Sequence, residues 1–85
     1  MDTVQRLEHG ELVAQLSHSL GEEKADELVR SAVARLGVSP TADFDRDDTM
    51  RILEALAVEP GLVGVVARFA KVRVALRFGP APNPR

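Results

Sequence analysis

Apolar residues recur at helical spacing in four segments of the chain. The most regular segment covers residues 22–36, whose apolar positions follow the i, i+3, i+4, i+7 spacing of an amphipathic helix. The same periodicity predicts helices over residues 3–19, 46–57 and 61–77. The predicted fold is all-α, a small four-helix array or bundle with a central apolar C-terminal helix. We expect one helical domain over residues 1–79, and a Pro-rich extended or disordered tail over residues 80–85.

Polar residues and glycines suggest where the first two helices begin and end. Asp2 or Thr3 is the candidate N-cap of the first helix, and Gly10 predicts a kink or break near His9 or a frayed first turn. The stretch SHSLG that follows predicts a turn. Within it, Ser19 followed by Glu22 matches a capping box at the start of the second helix.

The longest predicted connection, residues 38–45, lies between the second and third helices. Gly37 predicts the end of the second helix and Pro40 prevents its continuation. We expect Val38 and Phe44 to pack back onto the core. Asp45 predicts the start of the third helix, because acidic side chains favour helix N-termini.

The fourth predicted helix has apolar residues on two sides. A heptad strip, with the a/d spacing of a coiled coil, contains Leu62, Val65, Phe69, Val72 and Leu76. A valine strip beside it contains Val63, Val66, Ala70 and Val74. A helix that is apolar on two sides is either central in its fold or shared with another subunit.

The end of this helix also fits a strand. Residues 71–78 alternate polar and apolar side chains and contain β-branched valines. A single strand in an otherwise helical chain could pair only with another subunit. The heptad strip continues through Leu76, and this continuity favours a helix to the end of the segment.

Composition excludes several classes of protein. The 85 residues include no cysteine, so there is no disulfide framework and no thiolate metal site. The N-terminal residues do not have the pattern of a signal peptide, and we expect a cytoplasmic location. No apolar run reaches the roughly 20 residues of a transmembrane helix. Arg outnumbers Lys nine to two, which is typical of a protein from a GC-rich bacterial genome.

Charge is distributed unevenly along the chain. Residues 1–59 carry a balance of −7, whereas residues 60–85 carry +5 and no acidic side chain. This asymmetry fits acidic helices packed around a basic one, and alternatively a nucleic-acid or anionic-membrane surface. The candidate anion-binding residues are Arg68, Lys71, Arg73 and Arg77. The first two share one helix face and the last two share nearly the opposite face, which disfavours a single basic stripe for DNA.

Two motifs bear on possible chemistry. Asp43, Asp45, Asp47 and Glu54 match the acidic spacing of an EF-hand calcium loop, but Asp48 occupies the position of its required glycine. The acidic residues are explained by the start of the third helix, and no metal site is predicted.

The sequence His18-Ser19-Leu20, followed by an amphipathic helix, resembles the site at which carrier proteins accept phosphopantetheine on a serine. The glycines that precede this motif in the family are missing here. The resemblance implies a carrier-like domain as a third functional possibility. Because the chain has no Ser-His-Asp set at interpretable spacing and no phosphate-binding Gly-rich loop, we predict no enzyme activity and no cofactor.

The leading functional prediction is a non-enzymatic protein-interaction or oligomerisation module, either a small adaptor or regulator or a homodimer. So short a chain has too small a core to cover both sides of the fourth helix. The predicted partner-binding residues are apolar: Leu62, Val63, Val65, Val66, Phe69 and Val74. Burial of Val63, Val66 and Val74 within a monomer would count against self-association.

Overall fold

The computed structural model describes residues 6–38 and 43–78. Its helices are α1 (His9–Leu20), α2 (Glu22–Leu36), α3 (Arg46–Ala57) and α4 (Leu62–Phe78). Two three-residue strands, β1 (Arg6–Glu8) and β2 (Asp43–Asp45), complete the described chain. The all-α prediction is confirmed. The predictions at Asp2, Thr3 and Pro40 and for the C-terminal tail lie outside the described residues.

The predicted first helix is wrong at its start. Residues 6–8 form β1, which pairs antiparallel with β2 and sets Leu7 opposite Phe44. Both side chains are buried, and Arg6 Nε donates to Asp43 Oδ1 at 2.6 Å beside them. The helix begins only at His9, where Glu8 and Glu11 form a capping box. Burial of Leu7 against a residue 37 positions away therefore outweighs local helical periodicity.

The predicted turn between the first two helices is also wrong, since α1 runs through it to Leu20. Ser17 Oγ donates to the Ala14 carbonyl at 3.2 Å, and the side chain is thereby satisfied inside the helix. Gly21, with φ of 87°, alone makes the junction and is the N-cap of α2. Ser19 therefore lies in the last turn of α1, and the predicted capping box with Glu22 does not form.

The second and third helices have the predicted bounds. Gly37 ends α2 in the left-handed conformation, with φ of 71°. Asp45 caps α3 by accepting from the Asp48 amide at 2.8 Å. Val38 and Phe44 are buried, so the expectation that they pack onto the core is confirmed.

The core lies between two helix pairs. The most extensive contacts join α3 to α4 and α1 to α2, while α1 also packs on α4 and α2 on α3. Gly64 allows the turn between α3 and α4 to pack against the first turn of α4, because a Cβ at this position would overlap the carbonyl oxygen of Glu59 in that turn. The helix α4 continues to Phe78, which confirms the helical alternative for residues 71–78.

Candidate interaction surface on the last helix

The inward face of α4 is made of small and β-branched residues. Val66, Ala67, Ala70 and Val74 are buried, and Phe78 closes the end of this face. The small side chains of this face pack against α3, with which α4 makes extensive contacts. The valine strip is thus part of the core of a single chain.

The outward face of α4 is apolar as well. All five residues of the heptad strip are exposed, with Phe69 64% and Leu76 77% exposed as whole residues. Among the described residues, Val58 is the one other large hydrophobic residue with comparable exposure. A continuous apolar row on so small a fold is typical of a contact surface.

The partner-binding residues predicted from sequence are divided between these two faces. Leu62, Val65 and Phe69 are exposed and remain candidates for contact with a partner. Val66 and Val74 are buried and Val63 is half-buried against the core, so these three face the interior of the chain. Val72 and Leu76, which were left out of the predicted interface, belong to the exposed row.

A signal for this division was present in the sequence. Gly64, Ala67 and Ala70 recur at three-residue spacing on the side of the valine strip. Small residues on one helix face allow a neighbouring backbone to approach closely, so that side is suited to face the core.

Three of the four cations on α4 are engaged within the fold. Lys71 Nζ lies 3.2 Å from Glu54 Oε2 on α3, and Arg77 Nη2 lies 2.6 Å from Glu11 Oε2 on α1. Arg73 donates to the side chain and the carbonyl of Gln15, at 3.0 and 2.9 Å. The expectation that the basic edges meet acidic neighbours is confirmed at Lys71 and Arg77.

Arg68 differs from the other three. Arg73 and Arg77 are exposed as Arg68 is, but Arg68 has no ion pair or hydrogen bond within residues 6–38 and 43–78. Its charge is therefore available to a partner beside the heptad strip.

An open groove of about 310 Å³ lies next to the exposed row, between α1 and α4. Phe69 and Arg73 line it from α4, and Gln15, His18 and Ser19 line it from α1. Ser19 stands at the C-terminal end of a helix here, whereas the carrier motif that it resembles places its serine at a helix start.

A second polar cluster lies on the other side of α1. His9 Nε2 lies 2.8 Å from Asp26 Oδ1, and Arg30 Nε donates to Asp26 Oδ2 at 2.7 Å. The hydrogen bond from His9, followed by that from Arg30, lowers the pKa of Asp26. The His9 ring also packs at a tilt against Phe44, so this cluster ties α1, α2 and β2 together.

Three of the four acidic residues of the EF-hand-like spacing have structural partners, and Glu54 is paired with Lys71 of α4. Asp43 pairs with Arg6, and Asp45 caps α3. Over residues 6–38 and 43–78, no group of three or more His, Asp or Glu side chains could hold a metal ion.

Comparison with protein-family profiles, with curated proteins and with solved structures finds no match to this chain. None of the helices in the described residues is long and apolar enough to cross a membrane. A functional proposal for this chain therefore rests on the contacts, burial and charges of its own residues.

Proposed function

We propose that this chain is a cytoplasmic, non-enzymatic protein-interaction module, an adaptor or regulator that binds its partner through the heptad strip of α4. The observation that carries the proposal is the exposure of all five strip residues on a helix whose opposite face is already packed. Burying such a row removes a large part of the exposed apolar surface of the chain from water.

Two features support a protein partner. The strip keeps strict a/d spacing over four helical turns, which suits the side chains of a second helix. The groove beside Phe69 offers a concave site for a partner side chain. Self-association and binding to a different protein are both forms of this function.

Binding of nucleic acid or an anionic membrane is the less supported alternative. It would use Arg68, Lys71, Arg73 and Arg77, but the last three already contact Glu54, Gln15 and Glu11. A carrier role at Ser19 is weaker still, because this serine lies at the end of α1.

Photocrosslinking in the cells that produce the protein tests the proposal. A photoreactive phenylalanine analogue replaces Phe69, and the same analogue at Ala34 on the exposed side of α2 is the control. We expect one discrete crosslinked protein from position 69, either a second copy or another chain, and none from position 34. Equal crosslinking from both positions, or none from either, would contradict the proposal.

A further inference from the structure

The heptad assignment of α4 places charges beside the strip. With Leu62, Phe69 and Leu76 at a positions and Val65 and Val72 at d positions, Arg68 falls at g and Arg73 at e. Side chains at the e and g positions flank the interface of a helix pair, and their charges determine which helix can pair with it. The exposed row therefore has one arginine on each margin.

The two arginines are held differently. Arg73 is fixed against α1 by its bonds to Gln15, at 3.0 and 2.9 Å. Arg68 is three residues before Lys71, which meets Glu54 of α3, so it lies on the α3 side of the strip, and it has no hydrogen-bond or ion-pair partner in the described part of the chain. A helix lying along the strip would pass between these two positive charges.

A second copy of the chain is a poor occupant. The helix α4 contains no acidic residue. In a parallel pair, g faces e of the other helix, so Arg68 would meet Arg73 of the second copy. In an antiparallel pair, g faces g, and Arg68 would meet Arg68 of the second copy. Like charges at these positions oppose self-pairing.

The rest of the fold offers no alternative apolar face for self-docking. Within residues 6–38 and 43–78, the large exposed hydrophobic residues other than the strip are limited to Val58. Among these described residues, α4 itself is thus the apolar surface with which a second copy could cover the strip.

We propose that the heptad strip binds an amphipathic helix of another protein, whose apolar seam is flanked by Asp or Glu. This inference rests on the proposed function and names the chemistry of its partner. The strip spans about 21 Å at 1.5 Å per residue, so it accommodates roughly four turns of a partner helix. Acidic side chains on both edges of that helix would reach Arg68 and Arg73, and its apolar residues would cover Phe69 and Leu76.

A membrane surface fits this geometry less well than a helix. Helices that lie in a bilayer interface present a broad apolar face beneath free cations. The exposed apolar face of α4 is a narrow a/d row, and Lys71 and Arg77 are turned away to Glu54 and Glu11.

The test uses two synthetic peptides of three heptads each, with leucine at every a and d position. One peptide carries glutamate at every e and g position, and the control peptide carries lysine there. Fluorescence anisotropy measures the binding of each peptide to the full chain, and light scattering measures the mass of the chain alone. Vesicles with and without anionic lipid are titrated in parallel.

The protein variants separate charge from fold. Arg68→Glu reverses the charge on one side of the strip, at an exposed residue that makes no hydrogen bond or ion pair within residues 6–38 and 43–78. Lys24→Glu, on α2, makes the same change in net charge away from the strip. Phe69→Ser removes the largest apolar side chain of the row.

We expect saturable binding of the glutamate peptide and little binding of the lysine peptide. Arg68→Glu should weaken the glutamate peptide about tenfold and strengthen the lysine peptide, whereas Lys24→Glu should leave both nearly unchanged. Phe69→Ser should weaken binding further.

Four results would overturn the inference, and they do so differently. Equal binding of both peptides removes the charge preference but keeps the interaction surface. A stable dimer that Phe69→Ser dissociates would also overturn the inference and keep the interaction surface, since a second copy of the chain then covers the strip. A monomer that binds neither peptide removes the inference and the proposed function together. Binding to anionic vesicles alone, lost in Phe69→Ser, also removes both and assigns the strip to a membrane.

Discussion

Val74 and Leu76 lie two residues apart on α4 and on opposite sides of it. Val74 is 1% exposed in the core, whereas Leu76 is 77% exposed on the outer face. The helix therefore carries two apolar faces, of which the fold uses one. The exposed face is the feature of this molecule that its own packing does not explain.

Val74 and Val72 on α4 allow the effect of the same substitution on stability to be compared at a buried and at an exposed position. Val74→Ala should lower the free energy of unfolding by about 2 kcal/mol, because it removes buried methyl groups and leaves a cavity. Val72→Ala, on the exposed face, should change it by less than about 0.5 kcal/mol. Urea unfolding measures both. Equal losses at the two positions would contradict the assignment of the two faces.

Two phenylalanines provide a second pair. Phe44→Ala should cost about 3–5 kcal/mol, since Phe44 is buried opposite Leu7 in the strand pair. Phe69→Ala should cost little in the isolated chain, because Phe69 is already in contact with water. Thermal and urea unfolding provide the measurement. A loss under about 1 kcal/mol at Phe44 would show that β1 and β2 do not enclose it.

Gly64 is predicted to be intolerant of substitution. In Gly64→Ala the new methyl group would overlap the Glu59 carbonyl oxygen and lie 3.1 Å from the Ala57 carbonyl oxygen. Both are backbone atoms, so relief requires the turn after α3 or the first turn of α4 to shift, at a cost of about 1–3 kcal/mol. Gly10→Ala, where a Cβ meets nothing within 4 Å, is the control and should be neutral or stabilising by up to about 1 kcal/mol. If Gly10→Ala destabilised the chain and Gly64→Ala did not, the claim that position 64 lacks space for a Cβ would be contradicted.

The Asp26 cluster predicts a dependence of stability on pH. The pKa of Asp26 is lowered in the folded chain, first by the bond from His9 and then by that from Arg30. Its contribution is therefore present above its ordinary pKa of 3.8 and is lost as pH falls through the lower folded value. Asp26→Asn should destabilise the chain at pH 6, and the difference from the wild type should shrink below pH 3.8.

The control for this prediction is Glu27→Gln on the same helix. Glu27 is 75% exposed and lies 3.9 Å from Lys24, so its loss should change stability by less than about 0.5 kcal/mol. Urea unfolding from pH 2 to pH 7 gives both comparisons. A difference between Asp26→Asn and the wild type that grows as pH falls below 3.8 would contradict the assigned direction.

Helix bounds could be predicted from the sequence where the apolar periodicity and the residues at the helix ends agreed with the packing of the fold. The bounds of α2 and α3 were predicted in full, because a regular apolar period is bounded by Gly37 in one case and by Asp45 in the other. Helical continuity of the heptad strip also decided correctly against a strand at residues 71–78.

Prediction failed where a distant contact decides the structure. Leu7 suits a helix locally, yet its pairing with Phe44 makes it part of a strand. Ser17 and Ser19 favour a turn by their composition, yet both lie in α1, where Ser17 Oγ donates to the Ala14 carbonyl. On α4, periodicity revealed two apolar strips without saying which one faces inward, and the signal that decides it is the set of small residues Gly64, Ala67 and Ala70 beside the valine strip.

Nuclear magnetic resonance mapping of the labelled chain with the glutamate-flanked peptide is the most direct test of the central claim. We predict that the largest amide shift changes follow the exposed face of α4, from Leu62 through Phe69 to Leu76, with smaller changes at Gln15 and His18 beside the groove. Changes centred on α2 or on the His9–Asp26 cluster, or no changes at saturating peptide, would contradict the claim that the heptad strip is the binding surface.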